Sequence, residues 1–131
     1  MIVDCAPIQC HTFYTPARPD PPELTLPSDI FDDNKSHVEV LCGSTSLGRP
    51  RSSISLERKL PGEADFSKVD FDAVKKREHS SCVTSERGYY VIAPSHSVNG
   101  TVFRCVMTSS EEDGGAGGMS VEKTLTVIPS E

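Results

Sequence analysis

Tryptophan is missing from this sequence, and aromatic residues and long apolar runs are scarce. Aromatic residues make up 6% and hydrophobic residues 36% of the 131 positions. A chain of this length has room for one domain. So low an apolar content predicts a small hydrophobic core, and a covalent cross-link would then contribute strongly to the stability of the fold. No run of about 18 apolar residues occurs, so we expect no membrane insertion by this segment.

Net positive charge and catalytic motifs are also lacking. The net charge of −6 argues against nucleic acid as a partner, because that binding needs lysine and arginine to neutralise phosphates. The sequence has no P-loop, no G-x-G-x-x-G, no G-x-S-x-G and no HExxH, and its four histidines follow none of these patterns. We therefore expect no enzymatic activity, no cofactor and no metal centre.

Cysteine, in contrast, is plentiful. Five cysteines occur, and no two have the CxxC spacing of zinc or thioredoxin-like sites. Disulfides persist in oxidising compartments, so the composition predicts an extracellular protein, either secreted or the ectodomain of a cell-surface protein. The opening MIVDCAPIQC has neither the basic nor the apolar region of a signal peptide, which indicates a mature piece or a fragment of a longer chain.

Proline divides the chain into two parts. Five prolines fall within residues 1–22, and each removes a backbone donor and favours extended geometry in its neighbour. We interpret residues 1–22 as a proline-rich N-terminal arm or linker and residues 23–131 as the folded domain.

Short apolar runs separated by turn residues follow the arm, without a helical period. This pattern of short apolar runs predicts an all-β fold. The candidate strands are residues 23–26, 37–43, 53–59, 69–74, 81–84, 89–93, 101–108 and 121–128. Short strands at this spacing are typical of a two-sheet sandwich.

Two cysteines lie in alternating strands. In HVEVLCG both valines share a strand face with Cys42, and in TVFRCVMT Phe103 and Met107 share a face with Cys105. Both sulfurs therefore point towards the apolar interior, where a bridge would cross the core and stabilise the fold by about 4 kcal/mol. Two buried free thiols in a cytosolic β-protein are the alternative.

At these residues the chain resembles an immunoglobulin-like domain. The family's D-x-G/A-x-Y-x-C approach to the second core cysteine reads NGTVFRC here, with Asn99, Thr101 and Phe103 at the patterned positions. Phenylalanine lacks the hydroxyl of the family's tyrosine corner, and Ile54 or Leu56 stands where the core tryptophan is expected. The resemblance implies a two-sheet immunoglobulin-like sandwich with an inter-sheet disulfide, preceded here by the extended N-terminal arm.

The SISLERK and VFRC segments are also similar to the immunoglobulin domains of molluscan fibrinogen-related lectins. That likeness implies one module of a secreted innate immune recognition protein. The general resemblance implies an extracellular recognition or adhesion module with a protein or glycan ligand. A non-binding structural spacer in a multi-domain extracellular chain is the alternative.

Two N-x-[ST] triplets predict glycosylation. They begin at Asn34 and Asn99, both in expected loops. Asn99 has a second interpretation, because Asn-Gly is a turn dipeptide whose asparagine side chain caps a corner.

Removing the core pair from the five cysteines leaves Cys5, Cys10 and Cys82. Three thiols cannot all pair within one chain. Cys5 can pair with Cys10, or either can join the arm to Cys82. The remaining thiol is then free or forms an intermolecular disulfide.

Charged segments are the remaining binding candidates. The stretch SSEEDGGAGGMS predicts either an adaptable recognition loop or a solvated hairpin tip, centred on Glu111, Glu112, Asp113, Gly114 and Gly115. Its acids lack the ligand spacing of an EF-hand. The basic runs at 75–78 and 49–51 are typical of solvated faces, and sulfated or sialylated glycans are the ligands that would suit them.

Overall fold

The computed structural model describes residues 18–27, 30–31, 37–48, 51–79, 83–108 and 119–128. Within these ranges the chain forms ten strands and one short 3-10 helix. The strands are β1 (Glu23–Thr25), β2 (Ile30–Phe31), β3 (Val38–Ser44), β4 (Ser53–Lys59), β5 (Ser67–Val69), β6 (Ala73–Glu78), β7 (Thr84–Ile92), β8 (Val102–Thr108), β9 (Met119–Thr124) and β10 (Val127–Ile128), and the 3-10 helix is His96–Val98.

Two four-stranded sheets face each other. The first sheet has the strand order β1-β3-β7-β6, and the second has the order β5-β4-β8-β9. Pairing within both sheets is antiparallel, whereas β10 pairs in parallel with β2. The all-β sandwich predicted from the sequence is confirmed.

The core lies between the sheets and contains the predicted bridge. Cys42 of β3 and Cys105 of β8 form a disulfide, with their Cα atoms 5.5 Å apart. Both are fully buried. Alternate residues of the same strands share this burial, as the two-residue period requires. These inward side chains are Val38, Val40, Phe103 and Met107.

Other side chains fill the place of the missing tryptophan. Leu56 pairs with Cys105 across β4 and β8 and is fully buried, as the sequence predicted for this strand. Tyr90 packs at a tilt on Phe103, with 6.0 Å between ring centroids. The hydroxyl of Tyr90 also accepts a hydrogen bond of 2.6 Å from Arg58 Nη1, which links the two sheets. Aromatic volume therefore comes from β7 and β8 instead of β4.

The turn before β8 uses polar groups in place of a tyrosine corner. Thr101 is fully buried, and its hydroxyl donates to the carbonyl oxygen of Val98 at 2.7 Å. The side-chain oxygen of Asn99 accepts a hydrogen bond of 2.8 Å from the backbone N–H of Val127. Asn99 therefore fixes the start of β10, so the side chain is engaged well beyond its own Asn-Gly turn.

Several strand predictions are wrong in their bounds. The segments 81–84 and 89–93 were expected to be separate strands, but β7 runs without a break from Thr84 to Ile92. The predicted strand at 69–74 covers the connection between β5 and β6, where Asp72 accepts a hydrogen bond from the Val91 backbone at 2.7 Å. The strand predicted at 121–128 is divided into β9 and β10. Long-range pairing with β3 and β6 extends β7 through residues of weak strand preference.

The end of the arm is attached to the domain. Asp20 donates its backbone N–H to the Ser46 carbonyl oxygen at 2.9 Å and accepts hydrogen bonds from the hydroxyls of Ser44 and Thr45. These three bonds anchor the chain just before β1. The division of the chain at residues 22 and 23 stays a prediction.

Gly88 of β7 permits a close approach by Phe71. A Cβ atom at Gly88 would overlap the Phe71 ring, which packs against the core. Gly88→Ala is expected to lower the free energy of unfolding by about 1–3 kcal/mol through overpacking. Urea denaturation of Gly88→Ala, Phe71→Ala and the double variant checks this. The double variant should be less destabilised than the sum of the single changes, and strict additivity would contradict the contact.

Candidate recognition surfaces

Each sheet has one face on the core and one face towards solvent. On the second sheet the outward residues of β4 and β8 are those that alternate with the buried ones. Glu57 and Arg104 are Cα partners in this outward set, and Arg104 also pairs with Glu122 of β9. Polar side chains therefore meet at the centre of the face.

Arg104 is the centre of this group. Its Nε donates to Glu57 Oε1 at 2.7 Å, and its Nη1 lies 3.7 Å from Glu122 Oε2. The guanidinium carbon lies 3.9 Å from the centroid of the Phe66 ring. We call Glu57, Phe66, Arg104 and Glu122 the Arg104 cluster.

The Arg104 cluster is held in place and still accessible. Stacking on an aromatic ring and a charge-assisted hydrogen bond together restrict the rotamers of the arginine. The Arg104 side chain is 31% exposed and that of Glu57 is 26% exposed. An arginine carries five N–H donors, so donors remain for a partner. Val102 and Val106, half-buried on the same face of β8, add apolar area.

The outer face of the first sheet carries a groove along β6 and β7. The groove has a volume of about 530 Å³. Its charged lining residues include Lys75, Arg77 and Arg87, and Tyr89 supplies an aromatic wall. Lys75 Nζ lies 5.6 Å from the centroid of the Tyr89 ring. We call this feature the basic groove.

A histidine and a serine meet at one end of the basic groove. His79 Nε2 lies 3.0 Å from Ser85 Oγ, and the serine hydroxyl is also 3.5 Å from the Arg77 carbonyl oxygen. A nucleophilic serine needs a histidine that is itself oriented by a third group, commonly a carboxylate. Among the described residues no such carboxylate is hydrogen-bonded to His79. We interpret the contact as one that fixes the end of β6 against β7.

Some predicted site residues are visible in the structure. The run at 75–78 is exposed, as expected of a solvated face, and it forms most of β6. Arg51 is exposed, while Arg49 and Pro50 lie outside the described residues. Asn99 is exposed, and its glycosylation stays a prediction.

The other predicted site residues lie outside the described residues. These are Cys5, Cys10, Cys82, Asn34, Glu111, Glu112, Asp113, Gly114 and Gly115. Their disulfide, glycan and binding-loop roles stay predictions.

Sequence reasoning missed the Arg104 cluster. The alternation in TVFRCVMT already indicates that Arg104 points away from the core. The alternation in SISLERK likewise indicates that Glu57 lies on the outward face of its strand. The pairing of the two residues depends on the register of β4 against β8, and Phe66 comes from a connecting segment. Neither is encoded in a local pattern.

The strand order defines the class of protein. Sheets ordered β1-β3-β7-β6 and β5-β4-β8-β9 correspond to the ABED and C′CFG sheets of immunoglobulin domains, and the disulfide joins the strands that correspond to B and F. The chain therefore has an immunoglobulin-like fold.

Solved structures of similar fold agree with this class. One is described as Rst D1-D2, with a TM-score of 0.63, 16% identity and coverage of 85% of this chain and 50% of that chain. A second is the full ectodomain of mouse nectin-like molecule 4, with a TM-score of 0.62, 14% identity and coverage of 86% and 35%. A third is bovine butyrophilin, with a TM-score of 0.54, 12% identity and coverage of 88% and 46%. The chain thus spans half or less of the length of these structures.

Sequence comparison adds nothing to the structural match. No protein-family model matches the chain, and no curated protein matches it significantly. Across the described ranges, no helix combines the length and apolar character needed to cross a membrane. Within those same ranges, no three His, Cys, Asp or Glu side chains are grouped to hold a metal ion.

Proposed function

We propose that this domain is an extracellular recognition or adhesion module of a larger secreted or cell-surface protein. The observation that carries the proposal is the Arg104 cluster, an arginine fixed between a carboxylate and an aromatic ring at the centre of an open sheet face. Residues that dominate binding energy at protein interfaces are enriched in arginine and aromatic types near the interface centre. A pre-ordered side chain also loses less entropy on binding.

The buried disulfide and the similar solved structures both support an extracellular location. The buried disulfide is of a kind that persists in oxidising compartments. One of the similar structures is an ectodomain, and each is longer than this chain. A role within an innate immune lectin is a finer proposal that depends on the sequence resemblance to molluscan fibrinogen-related lectins alone.

A second copy of this chain is the first partner to test. A two-fold symmetric contact requires a surface that complements itself. The outer face of the second sheet carries both signs of charge, with Glu57 and Glu122 beside Arg104 and the exposed Lys68 on β5. Such a mixed face can pair with its own copy, which a face of one sign cannot.

Arg104→Ala is expected to weaken self-association by at least about 30-fold, the effect of losing one hot-spot residue worth about 2 kcal/mol, because a symmetric contact loses the arginine from both copies. Sedimentation velocity over a concentration series and aggregation of protein-coated beads provide the measurement. Lys123→Ala is the matched control, because it removes an exposed positive charge from β9 at a position that alternates with Glu122 and so lies off this face, and it should change the association by less than about threefold.

The spacer hypothesis makes the opposite prediction. If the wild-type domain remains monomeric at the highest concentrations and coated beads do not aggregate, self-recognition is wrong. If panels of extracellular proteins and glycans also yield no ligand, the domain acts as a structural spacer.

Thermal melting checks that Arg104→Ala still folds. This variant should lose only about 1 kcal/mol or less of its free energy of unfolding, since the ion pairs of Arg104 are partly exposed.

A further inference from the structure

The basic groove places like charges directly opposite each other. Lys75 of β6 and Arg87 of β7 are Cα partners in the antiparallel ladder. Arg77, two residues further along β6, is the diagonal neighbour of Arg87 on the same face. Like charges opposite each other in a sheet destabilise it. The arrangement therefore opposes folding unless another interaction compensates for it.

Carboxylates near the groove do not neutralise these cations. The acids of the two strands, Glu78 and Glu86, fall on the alternate positions and so belong to the opposite sheet face. At the margin, the Asp20 carboxylate accepts a hydrogen bond of 2.6 Å from Thr45, which also lines the groove. Among the described residues, no ion pair within 4 Å involves Lys75, Arg77 or Arg87.

The remaining lining suits a sugar chain. Tyr89 contributes an amphipathic ring to the lining, and Thr45 and Ser85 contribute hydroxyl groups. A volume of about 530 Å³ lies within the range of small-ligand sites. Arginine guanidinium groups bind planar or tetrahedral oxyanions through paired N–H donors.

We propose that the basic groove binds a sulfated polysaccharide. The lining holds four cations, Lys75, Lys76, Arg77 and Arg87. Cations spread over two strands match sulfate groups repeated along a sugar chain better than they match a single small anion. The net charge of −6 on the whole chain disfavours contacts with a polyanion beyond this face, so we expect the groove to hold a short sulfated stretch, and the competition test below separates it from nucleic acid. The proposal concerns the first sheet and does not depend on self-association through the Arg104 cluster.

Titration with a heparin octasaccharide tests the assignment. The Lys75→Gln/Arg87→Gln variant should bind about 25-fold more weakly than wild type, at about fivefold for each cation. Lys68→Gln/Lys123→Gln is the matched control, because it removes two charges from the second sheet, and it should change the affinity by less than about twofold. The wild-type affinity should also fall steeply as salt is raised, as for other contacts between cations and a polyanion.

Competition identifies the ligand. Desulfated heparin and a DNA duplex of similar total charge should compete at least tenfold less well than the sulfated octasaccharide, with about tenfold corresponding to one clear specific contact. If either competes equally, the assignment to a sulfated polysaccharide is wrong. Equal losses in the groove variant and the control would also overturn it.

Thermal melting separates loss of binding from loss of folding. Without ligand, Lys75→Gln/Arg87→Gln should melt close to the wild-type temperature, because removal of the repulsive cross-strand pair offsets the lost contact between Lys75 and the Tyr89 ring. At one fixed concentration, the octasaccharide should raise the melting temperature of the wild type and the control by clearly more than that of the groove variant. A groove variant that is stabilised by the octasaccharide as much as wild type contradicts the proposal.

Discussion

Replacing both Cys42 and Cys105 with alanine is expected to lower the free energy of unfolding by about 4 kcal/mol, the chain-entropy contribution of a loop of this length. The bridge spans 63 residues of sequence and is fully buried. A domain of this size has a net stability of about 5–15 kcal/mol. The variant should therefore melt on the order of 20 °C below the wild type, measured by circular dichroism and urea denaturation.

The control compares the effect of dithiothreitol on the wild type with its effect on the double variant. The double variant lacks both core sulfurs, so any effect of dithiothreitol on its stability comes from the other cysteines. The difference between the wild-type and variant responses to reductant belongs to the Cys42–Cys105 bridge. If the variant unfolds within about 1 kcal/mol of the oxidised wild type, the bridge does not hold the sheets together.

Phe103→Ala should lower the free energy of unfolding by about 3–5 kcal/mol, through lost burial and the cavity left behind. Phe103 is fully buried and is the largest of the side chains that are completely enclosed in the described core. It packs on Tyr90 of the opposite sheet. Its loss therefore weakens contact between the sheets, and urea denaturation measures the change.

A second phenylalanine provides the matched control. Phe66 lies partly exposed on the outer face of the second sheet, against Arg104. Phe66→Ala deletes the same atoms but should cost about 1 kcal/mol or less. Phe103→Leu keeps most of the volume and should fall between the two. Equal effects of alanine at both positions would show that Phe103 is not a core anchor.

Much of the sandwich could be predicted because a strand alternates its faces. The alternation in HVEVLCG and TVFRCVMT placed both cysteines among inward apolar residues, and the structure confirms the bridge. The strand at 53–59 also has the predicted bounds. In these segments the local pattern and burial agree, so the sequence alone is informative.

Other strands depend on partners distant in sequence. β6 consists mostly of charged residues, which have little intrinsic preference for strands, and pairing with β7 determines its conformation. β7 continues through Gly88, which local patterns treat as a break. The Arg104 cluster and the basic groove both depend on which residues the paired strands place opposite each other. The sequence indicates that these residues are exposed, but it does not predict that they lie close together.

The charged composition of β6 affects how copies of this domain behave when crowded. β6 ends the described order of the first sheet, and all six of its residues are exposed. A sheet edge rich in charge resists the addition of a foreign strand, because the charges must lose water before new backbone hydrogen bonds form. Strand exchange between neighbouring domains is a common misfolding route in multi-domain chains. Domains of this type joined in tandem can therefore fold beside one another with little such exchange.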